Sequence, residues 1–142
     1  MSDALKLFLD RVAAGDDARA EEAAQALRRG PGEADLPALR DLLADADSDR
    51  RWWAARGLAA VGTHAARELL ATALDDPDAD VRACAAQGLG ELRAAEAVPG
   101  LARCLADSSP LVSRIAADSL ARIGPPAVPA LMAALQAEEV LA

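Results

Sequence analysis

Very few residues of this chain could carry out chemistry. It contains one histidine, His64, two cysteines, Cys84 and Cys104, and no tyrosine. The cysteines have no CxxC spacing and form no Cys–His pair, and the chain has no Gly-x-Ser-x-Gly elbow and no phosphate-binding glycine loop. We therefore predict no catalytic residue, no metal and no cofactor. We expect both cysteines to be small core residues rather than ligands, a disulfide or a chromophore attachment point.

One unusual cluster stands out, the segment 50–56 with the sequence Arg-Arg-Trp-Trp-Ala-Ala-Arg. It holds both tryptophans and three arginines of an otherwise acidic chain, and these two residue types are enriched at binding hot spots. The chemistry that this segment indicates is therefore binding. The alternative is structural, with Trp52 packing over Arg56 or against the N-terminal helices without any ligand.

A 31-residue period shows which elements position this cluster. Leu58, Leu89 and Leu120 are each 31 residues apart, and a fixed period in this range is typical of stacked supersecondary units. The chain is rich in alanine and leucine, which are strong helix formers. We therefore predict an all-α fold of stacked antiparallel helix hairpins. Further sets with the same step are Ala55, Ala86 and Ala117; Val61, Leu92 and Ile123; Leu43, Leu74 and Leu105; and Asp45, Asp76 and Asp107.

Each predicted hairpin has an acidic turn between its two helices. Asp45, Asp76 and Asp107 fall in these turns. We expect the turn aspartates to cap the amides of the following helix and to pair with Arg51 and Arg82 of adjacent repeats. The alternative, a string of cation sites, lacks the glycine and the terminal glutamate of an EF-hand loop. The other aspartates of these turns are Asp47, Asp78 and Asp80.

The second hairpin carries one pattern of residues, Asp78, Val81, Arg82, Ala85, Ala86, Leu89, Gly90 and Leu92. In this pattern the hairpins resemble HEAT repeats of the short bacterial kind, the phycobilisome-lyase-type HEAT-like repeats. The resemblance covers roughly residues 36–135, and it implies a right-handed α-solenoid, an armadillo-type superhelix. Repeat one departs from the pattern at Arg50, which replaces a valine, and repeat three at Ser113, which replaces the arginine. HEAT-like iron hydroxylases hold two irons with repeated His-Glu pairs, and here His64 is followed by alanine.

We expect one solenoid domain over residues 1–142. An atypical N-terminal helix pair caps the array, three repeats follow, and the last helix has no partner helix of its own. Apolar residues of that helix, Leu131, Leu135 and Val140, would either close repeat three or bind a second copy of the chain as a homodimer. The predicted bounds are 1–32 for the cap, 33–63, 64–94 and 95–125 for the repeats, and 126–142 for the last helix.

The resemblance also implies that the second helix of each hairpin lines a concave surface. Residues at i, i+4 and i+7 of a helix share one face, so three such stripes should form one groove, basic and aromatic at its first helix. By the 31-residue register Trp53 aligns with Cys84 and Ile115, and we expect it to be buried. The predicted binding residues are Trp52, Arg56 and Ala59; Ala83, Gln87 and Gly90; and Arg114, Asp118 and Arg122.

The charge of the chain restricts its partners. The formal net charge is −8 and the pI is about 4.6, and a field of this sign opposes phosphate backbones and anionic lipid. Nucleic acid and membrane partners are therefore disfavoured. The sequence shows no signal peptide and no apolar run of membrane-spanning length, and we predict a cytoplasmic, bacterial protein.

These features predict a non-catalytic scaffold that binds a protein partner, as a peptide or a helix, in its concave groove. An alternative, a subunit of a bilin-chromophore lyase-like system, rests on the resemblance alone. A DNA-lesion binder is a third hypothesis, and it would need a basic groove.

Overall fold

The computed structural model describes residues 1–29 and 32–141, with the side chains of all these residues except 138–141. Over this range the regular structure is helical throughout, which confirms the predicted α-solenoid. None of the helices in this part of the chain is long and apolar enough to cross a membrane. The α-helices of the described residues are α1 (Asp3–Ala13), α2 (Asp17–Ala26), α3 (Leu36–Leu43), α4 (Ser48–Val61), α5 (His64–Thr72), α6 (Ala79–Glu91), α7 (Val98–Cys104), α8 (Pro110–Ile123) and α9 (Val128–Leu141).

The N-terminal helix pair is fixed to the array by a capping serine and a buried aspartate. Ser2 Oγ accepts a hydrogen bond from the Leu5 amide at 3.1 Å and so caps α1. The same hydroxyl donates to Asp35 Oδ2 at 2.7 Å, and the Ser2 amide donates to Asp35 Oδ1 at 2.8 Å. Asp35 is only 1% exposed. It therefore ties the start of α1 to the start of α3, a link that the 31-residue period does not predict.

The hairpins α3/α4, α5/α6 and α7/α8 repeat the same packing. We call α4, α6 and α8 the second helices, and α4 packs on α6 as α6 packs on α8. Leu58, Leu89 and Leu120 hold the equivalent position in these three helices, and each is completely buried. Residues that are 31 positions apart in the sequence therefore occupy equivalent positions in the packed structure.

Arginine–aspartate pairs join successive turns, as predicted. Arg51 Nε and Nη2 donate to the two carboxylate oxygens of Asp76 at 3.0 and 3.2 Å, and Arg82 makes the same contacts with Asp107 at 2.9 and 3.0 Å. Each arginine also donates to two carbonyl oxygens of its own turn. These hydrogen bonds raise the pKa of both arginines, and the bond from Arg82 lowers the pKa of Asp107. Each arginine thus links its own turn to the next one.

Side chains in the turns also cap the second helices. Asp47 accepts a hydrogen bond from the amide two residues on at 2.9 Å, and Asp78 accepts from the amides two and three residues on at 2.8 and 3.3 Å. Ser109 serves the same purpose for α8. Asp80 was also expected to cap or pair, but its exposed side chain borders the groove described below.

The first helices of the three hairpins are short, whereas the last helix, α9, has 14 residues. α5 ends at Thr72, where a 3₁₀ turn takes over, and tightened last turns are a common way to satisfy terminal carbonyl groups. In contrast, α9 stays helical through the positions at which the earlier hairpins have their acidic turn. Ser113 thus has no further turn to reach, which explains the missing arginine. Its hydroxyl donates to the Leu105 carbonyl at 3.1 Å.

Candidate functional site

A groove of about 960 Å³ runs across the second helices α4, α6 and α8 and is bordered by α2. We call it the concave groove. Its floor is mostly apolar, and its rim is polar. The floor residues are Trp52, Trp53, Ala83, Cys84, Leu111 and Ile115.

The structure brings together the predicted residues of α4 and of the first part of α6. Those that line the concave groove are Trp52, Arg56, Ala59, Ala83 and Gln87. Those that do not line it are Gly90, Arg114, Asp118 and Arg122. The predicted stripe therefore lies along the groove on α4 and outside it on α8.

The groove position predicted for Gly90 is wrong, because this residue lies buried under α8. A Cβ atom added at Gly90 would lie 2.3 Å from Ser119 Oγ and 2.5 Å from Ser119 Cβ. The 31-residue step relates this contact to the one between Gly88 and Ala59, where an added Cβ would lie 2.8 Å from Ala59 Cβ. At each junction one partner must therefore be glycine, and Gly90 is that partner between α6 and α8. The Ser119 hydroxyl also donates to the Ala86 carbonyl at 2.7 Å across this junction.

The groove positions predicted on α8 are also wrong. Leu111 and Ile115 line the groove there instead. These two residues are the 31-residue equivalents of Asp80 and Cys84, which line the groove on α6, whereas the predicted stripe follows the equivalents of Ala83 and Gln87. A signal was available in the sequence, since Leu111 is an apolar residue at a position where repeat two has Asp80, and it is 41% exposed. The misplaced α8 residues, all exposed and outside the groove, are Arg114, Asp118 and Arg122.

Three aromatic rings form a chain from the core to the groove. Phe8 of α1 is completely buried and meets Trp53 edge-on, with ring centroids 6.2 Å apart. Trp53 in turn meets Trp52 at 4.8 Å and 88°. Trp53 is 8% exposed, which confirms its predicted burial, whereas Trp52 is half-buried and keeps part of its surface in the groove. Edge-to-face pairs add about 0.5–1.5 kcal/mol to burial, so the core holds Trp52 in place.

The arginines beside the tryptophans are all ion-paired, so the predicted basic end of the groove is not formed. Arg50 Nη1 lies 3.6 Å from Asp45 Oδ2, and Arg51 makes the turn contacts described above. Arg56 Nε donates to Glu21 Oε2 at 3.1 Å, and its Nη2 donates to the other oxygen of the same carboxylate. Glu21 belongs to α2, outside the repeats. The register therefore could not reveal this partner.

The two cysteines are free thiols in different surroundings. Cys104 is buried in the core, as predicted, whereas Cys84 is half-buried on the groove floor, with its Sγ 3.9 Å from the Trp52 carbonyl oxygen. Burial raises the pKa of the Cys84 thiol to about 12 and also raises the pKa of Cys104. Both thiols are therefore protonated at neutral pH and are weak nucleophiles.

His64 lies away from the groove, on the exposed first turn of α5. Its Nε2 is 3.2 Å from Glu68 and its Nδ1 is 3.7 Å from Glu96. Among the residues that the structure describes, no group of three or more histidine, cysteine, aspartate or glutamate side chains is placed to hold a metal ion. His64 therefore belongs to the surface around the start of α5.

Comparison with known proteins decides the family. The family model for HEAT repeats matches residues 3–83 and 66–141. The chain belongs to the HEAT-repeat family. Two crystal structures of engineered proteins, both Northeast Structural Genomics Consortium targets, are similar to this HEAT-repeat chain. One is 27% identical with a TM-score of 0.57, over 94% of this chain and 68% of that one.

The second engineered protein is 28% identical with a TM-score of 0.55, and 94% of this chain matches 41% of its length. This HEAT-repeat chain thus spans less than half of that structure. No curated protein matches it. The family match concerns HEAT repeats in general, so the lyase-type subdivision stays a prediction from the sequence resemblance.

Proposed function

We propose that this HEAT-repeat chain is a protein-interaction module, without catalytic activity, that binds a helix or a peptide in its concave groove. The observation that carries the proposal is Trp52, a half-buried aromatic residue on the floor of a groove of about 960 Å³. Aromatic residues make up only 2% of the chain. Two of its three aromatic residues, Trp52 and Trp53, line the groove.

The setting of Trp52 suits an anchor for a partner. The indole is held edge-on by Trp53, which is itself packed against Phe8. A side chain that is already ordered loses little entropy when a partner covers it, and covering its apolar surface removes that surface from water. Rigid aromatic side chains in partly enclosed pockets are frequent hot spots for this reason.

Other features of the groove support binding rather than catalysis or nucleic-acid recognition. The thiol on its floor is protonated at neutral pH because burial raises the pKa of Cys84 to about 12. Acidic side chains outnumber arginines along the groove, and such a surface repels phosphate. The free cysteines agree with a reducing compartment, and the cytoplasm remains our proposed location.

A peptide selection tests the proposal. Peptides displayed on phage would be selected on the wild-type chain, and their affinities would be measured by fluorescence anisotropy on wild type and Trp52→Ala. We expect Trp52→Ala to weaken the selected peptides by about 30-fold or more, the effect of a hot-spot residue. Equal affinities for wild type and Trp52→Ala would contradict the groove as the binding site.

Two further variants control this measurement. Met132→Ala removes an apolar side chain that is 53% exposed on α9, away from the groove, and should leave the affinity unchanged. Gln87→Ala changes an exposed residue of the groove wall without touching the aromatic core, and should weaken binding several-fold. It keeps the test valid if Trp52→Ala lowers the melting temperature.

A homodimer through α9 is a second candidate, and one observation favours it. Val128, Met132 and Leu135 lie on one face of α9 and are 51%, 53% and 58% exposed. Apolar stripes of this kind often mark interaction surfaces. The predicted Leu131 is half-buried beside them, whereas the side chain of Val140 lies outside the described residues. Sedimentation equilibrium should show a dimer for the wild-type chain and a monomer for Met132→Glu. A monomeric wild-type chain would contradict the homodimer.

The bilin-lyase alternative rests on the sequence resemblance alone. A change in bilin absorbance on adding this chain together with a partner subunit would support it. The same spectrum with and without the chain would contradict it.

A further inference from the structure

The rim of the concave groove is acidic. Six acidic side chains and two arginines line the groove, which leaves an excess of four negative charges. The arginines are Arg28 and Arg56, and the second is already paired with a glutamate. The acidic residues are Asp17, Glu21, Asp49, Asp78, Asp80 and Glu91.

Four of these carboxylates have no cation beside them. Asp17, Asp49 and Asp80 take part in no ion pair among the described residues. Glu91 accepts a hydrogen bond only from the neutral amide of Gln87, at 3.2 Å. The other two acidic residues already have partners: Glu21 is paired with Arg56, and Asp78 caps α6. Among its lining residues, the groove therefore offers four carboxylates and one arginine, Arg28, to whatever enters it.

The acidic residues stand on two opposite sides of an apolar floor. Asp49 and Asp80 are equivalent by the 31-residue step and lie in the first turns of α4 and α6, whereas Glu91 is the last residue of α6. Glu91 follows Asp80 by eleven helical steps, which is about 16 Å along the axis. Between them α6 contributes the small residues Ala83 and Cys84 to the floor of the groove. An α-helix with its side chains is about 10–12 Å wide and fits between the two acidic sides.

We propose that the occupant of the groove is a basic amphipathic helix of a partner protein, a refinement that rests on the proposed function. Its apolar stripe lies on Trp52, Ala83 and Ile115. Its lysine and arginine residues flank that stripe, facing Asp49 and Asp80 on one side and Glu91 on the other. From α4 to α8 there are two interaxial steps, about 16–20 Å in all, so some 11–13 residues of the partner helix are in contact.

The probes are three synthetic peptides of about 14 residues that share one apolar stripe. The flanking positions carry lysine in the first peptide, glutamine in the second and glutamate in the third. Each is labelled with fluorescein and titrated with the wild-type chain at about 0.1 M and about 1 M salt, where the Debye length is about 10 Å and about 3 Å. We expect the affinity order lysine, glutamine, glutamate at low salt, and a smaller spread at high salt.

Two triple variants of equal net charge locate the effect. The groove variant is Asp49→Asn, Asp80→Asn, Glu91→Gln. The control variant is Asp10→Asn, Glu33→Gln, Asp41→Asn, which removes three exposed acidic residues outside the groove. At low salt the groove variant should bind the lysine peptide roughly tenfold more weakly than wild type does, and the control variant within about twofold. Thermal melts confirm that both variants are folded.

Each other outcome overturns this inference in a recognisable way. Equal affinity for the lysine and glutamine peptides, with both lost in Trp52→Ala, would leave the groove as a peptide site without a charge preference. Equal losses in the two triple variants would show a general attraction of cations to an acidic protein. If none of the three peptides binds, the basic helix is refuted, and the phage selection decides separately whether the groove binds peptides. If spermine displaces the lysine peptide with a similar affinity, the site recognises cations and not a helix.

Discussion

The junction between α6 and α8 makes a sharp prediction about packing. In Gly90→Ala, the new Cβ lies 2.5 Å from Ser119 Cβ and 2.8 Å from Ser119 Cα, so the two helices must separate slightly. Overpacking of this kind costs up to about 3 kcal/mol, and the better helix propensity of alanine returns about 1 kcal/mol. We therefore expect Gly90→Ala to lower the free energy of unfolding by about 2 kcal/mol.

The compensating change is Ser119→Gly. Alone it removes the 2.7 Å hydrogen bond to the Ala86 carbonyl, worth about 1 kcal/mol, and lowers helix propensity by about 0.5 kcal/mol. Combined with Gly90→Ala it places alanine opposite glycine, as Ala59 and Gly88 are arranged at the other junction. Additivity predicts a loss of about 3.5 kcal/mol in the double variant. The Ser119 Cα atom stays 2.8 Å from the new Cβ, so we expect relief of about 2 of the roughly 3 kcal/mol of overpacking. This gives a loss of about 1.5 kcal/mol and a coupling of about 2 kcal/mol.

Urea unfolding followed by circular dichroism measures all the corners of this cycle. The control pair is Gly90→Ala with Ser119→Ala, which removes the hydroxyl but keeps the Cβ atom in contact. This pair should not be rescued. If the Gly90→Ala, Ser119→Gly variant loses the sum of the two single changes, within about 0.5 kcal/mol, then contact across the junction is not what requires glycine at position 90.

Three further predictions follow from the same structure. Leu89→Ala should lower the free energy of unfolding, measured in urea, by about 2–5 kcal/mol, because Leu89 is completely buried and has a repeat on each side. The control Leu135→Ala changes a side chain that is 58% exposed and should alter this free energy by less than about 0.5 kcal/mol. The pKa of Asp107 is lowered chiefly by the Arg82 hydrogen bond, so its stabilisation is complete above the unfolded pKa of about 3.9 and is lost as pH falls. The stability difference between wild type and Asp107→Asn should therefore shrink between about pH 5 and pH 3; a constant difference would contradict this assignment. Burial raises the pKa of the Cys84 thiol to about 12, so iodoacetamide at pH 8 should alkylate it at least about 100-fold more slowly in the native chain than in urea, as measured by mass spectrometry.

The sequence predicted those parts of the fold that repeat. Leu58, Leu89 and Leu120 share one environment, and the aspartate turns receive Arg51 and Arg82, because both sets of contacts obey the 31-residue step. The division of the chain at residues 32, 63, 94 and 125 stays a prediction.

The contacts that the sequence did not predict lie outside that step or depend on which face of a helix borders the groove. Glu21 and Asp35 make hydrogen bonds with residues of other helices 35 and 33 positions away, and one member of each pair is in the N-terminal cap. Arg114 lies outside the groove because α8 borders it with the face that carries Leu111 and Ile115. A period fixes which positions are equivalent, but it does not fix which of them still face the same groove.

The N-terminal cap therefore does more than cover the end of the array. From the repeats alone, Arg56 would be a positive charge beside Trp52, and the groove would be basic where it is aromatic. Glu21 of α2 neutralises that guanidinium, and Asp17 adds a further carboxylate from the same helix. Asp49 and Asp80 come from the repeats, so the cap and the repeats both add negative charge to the groove. Because the cap pairs the guanidinium next to Trp52, a partner anchored on Trp52 meets more acidic than basic side chains, with Arg28 of the cap as the other arginine that lines the groove.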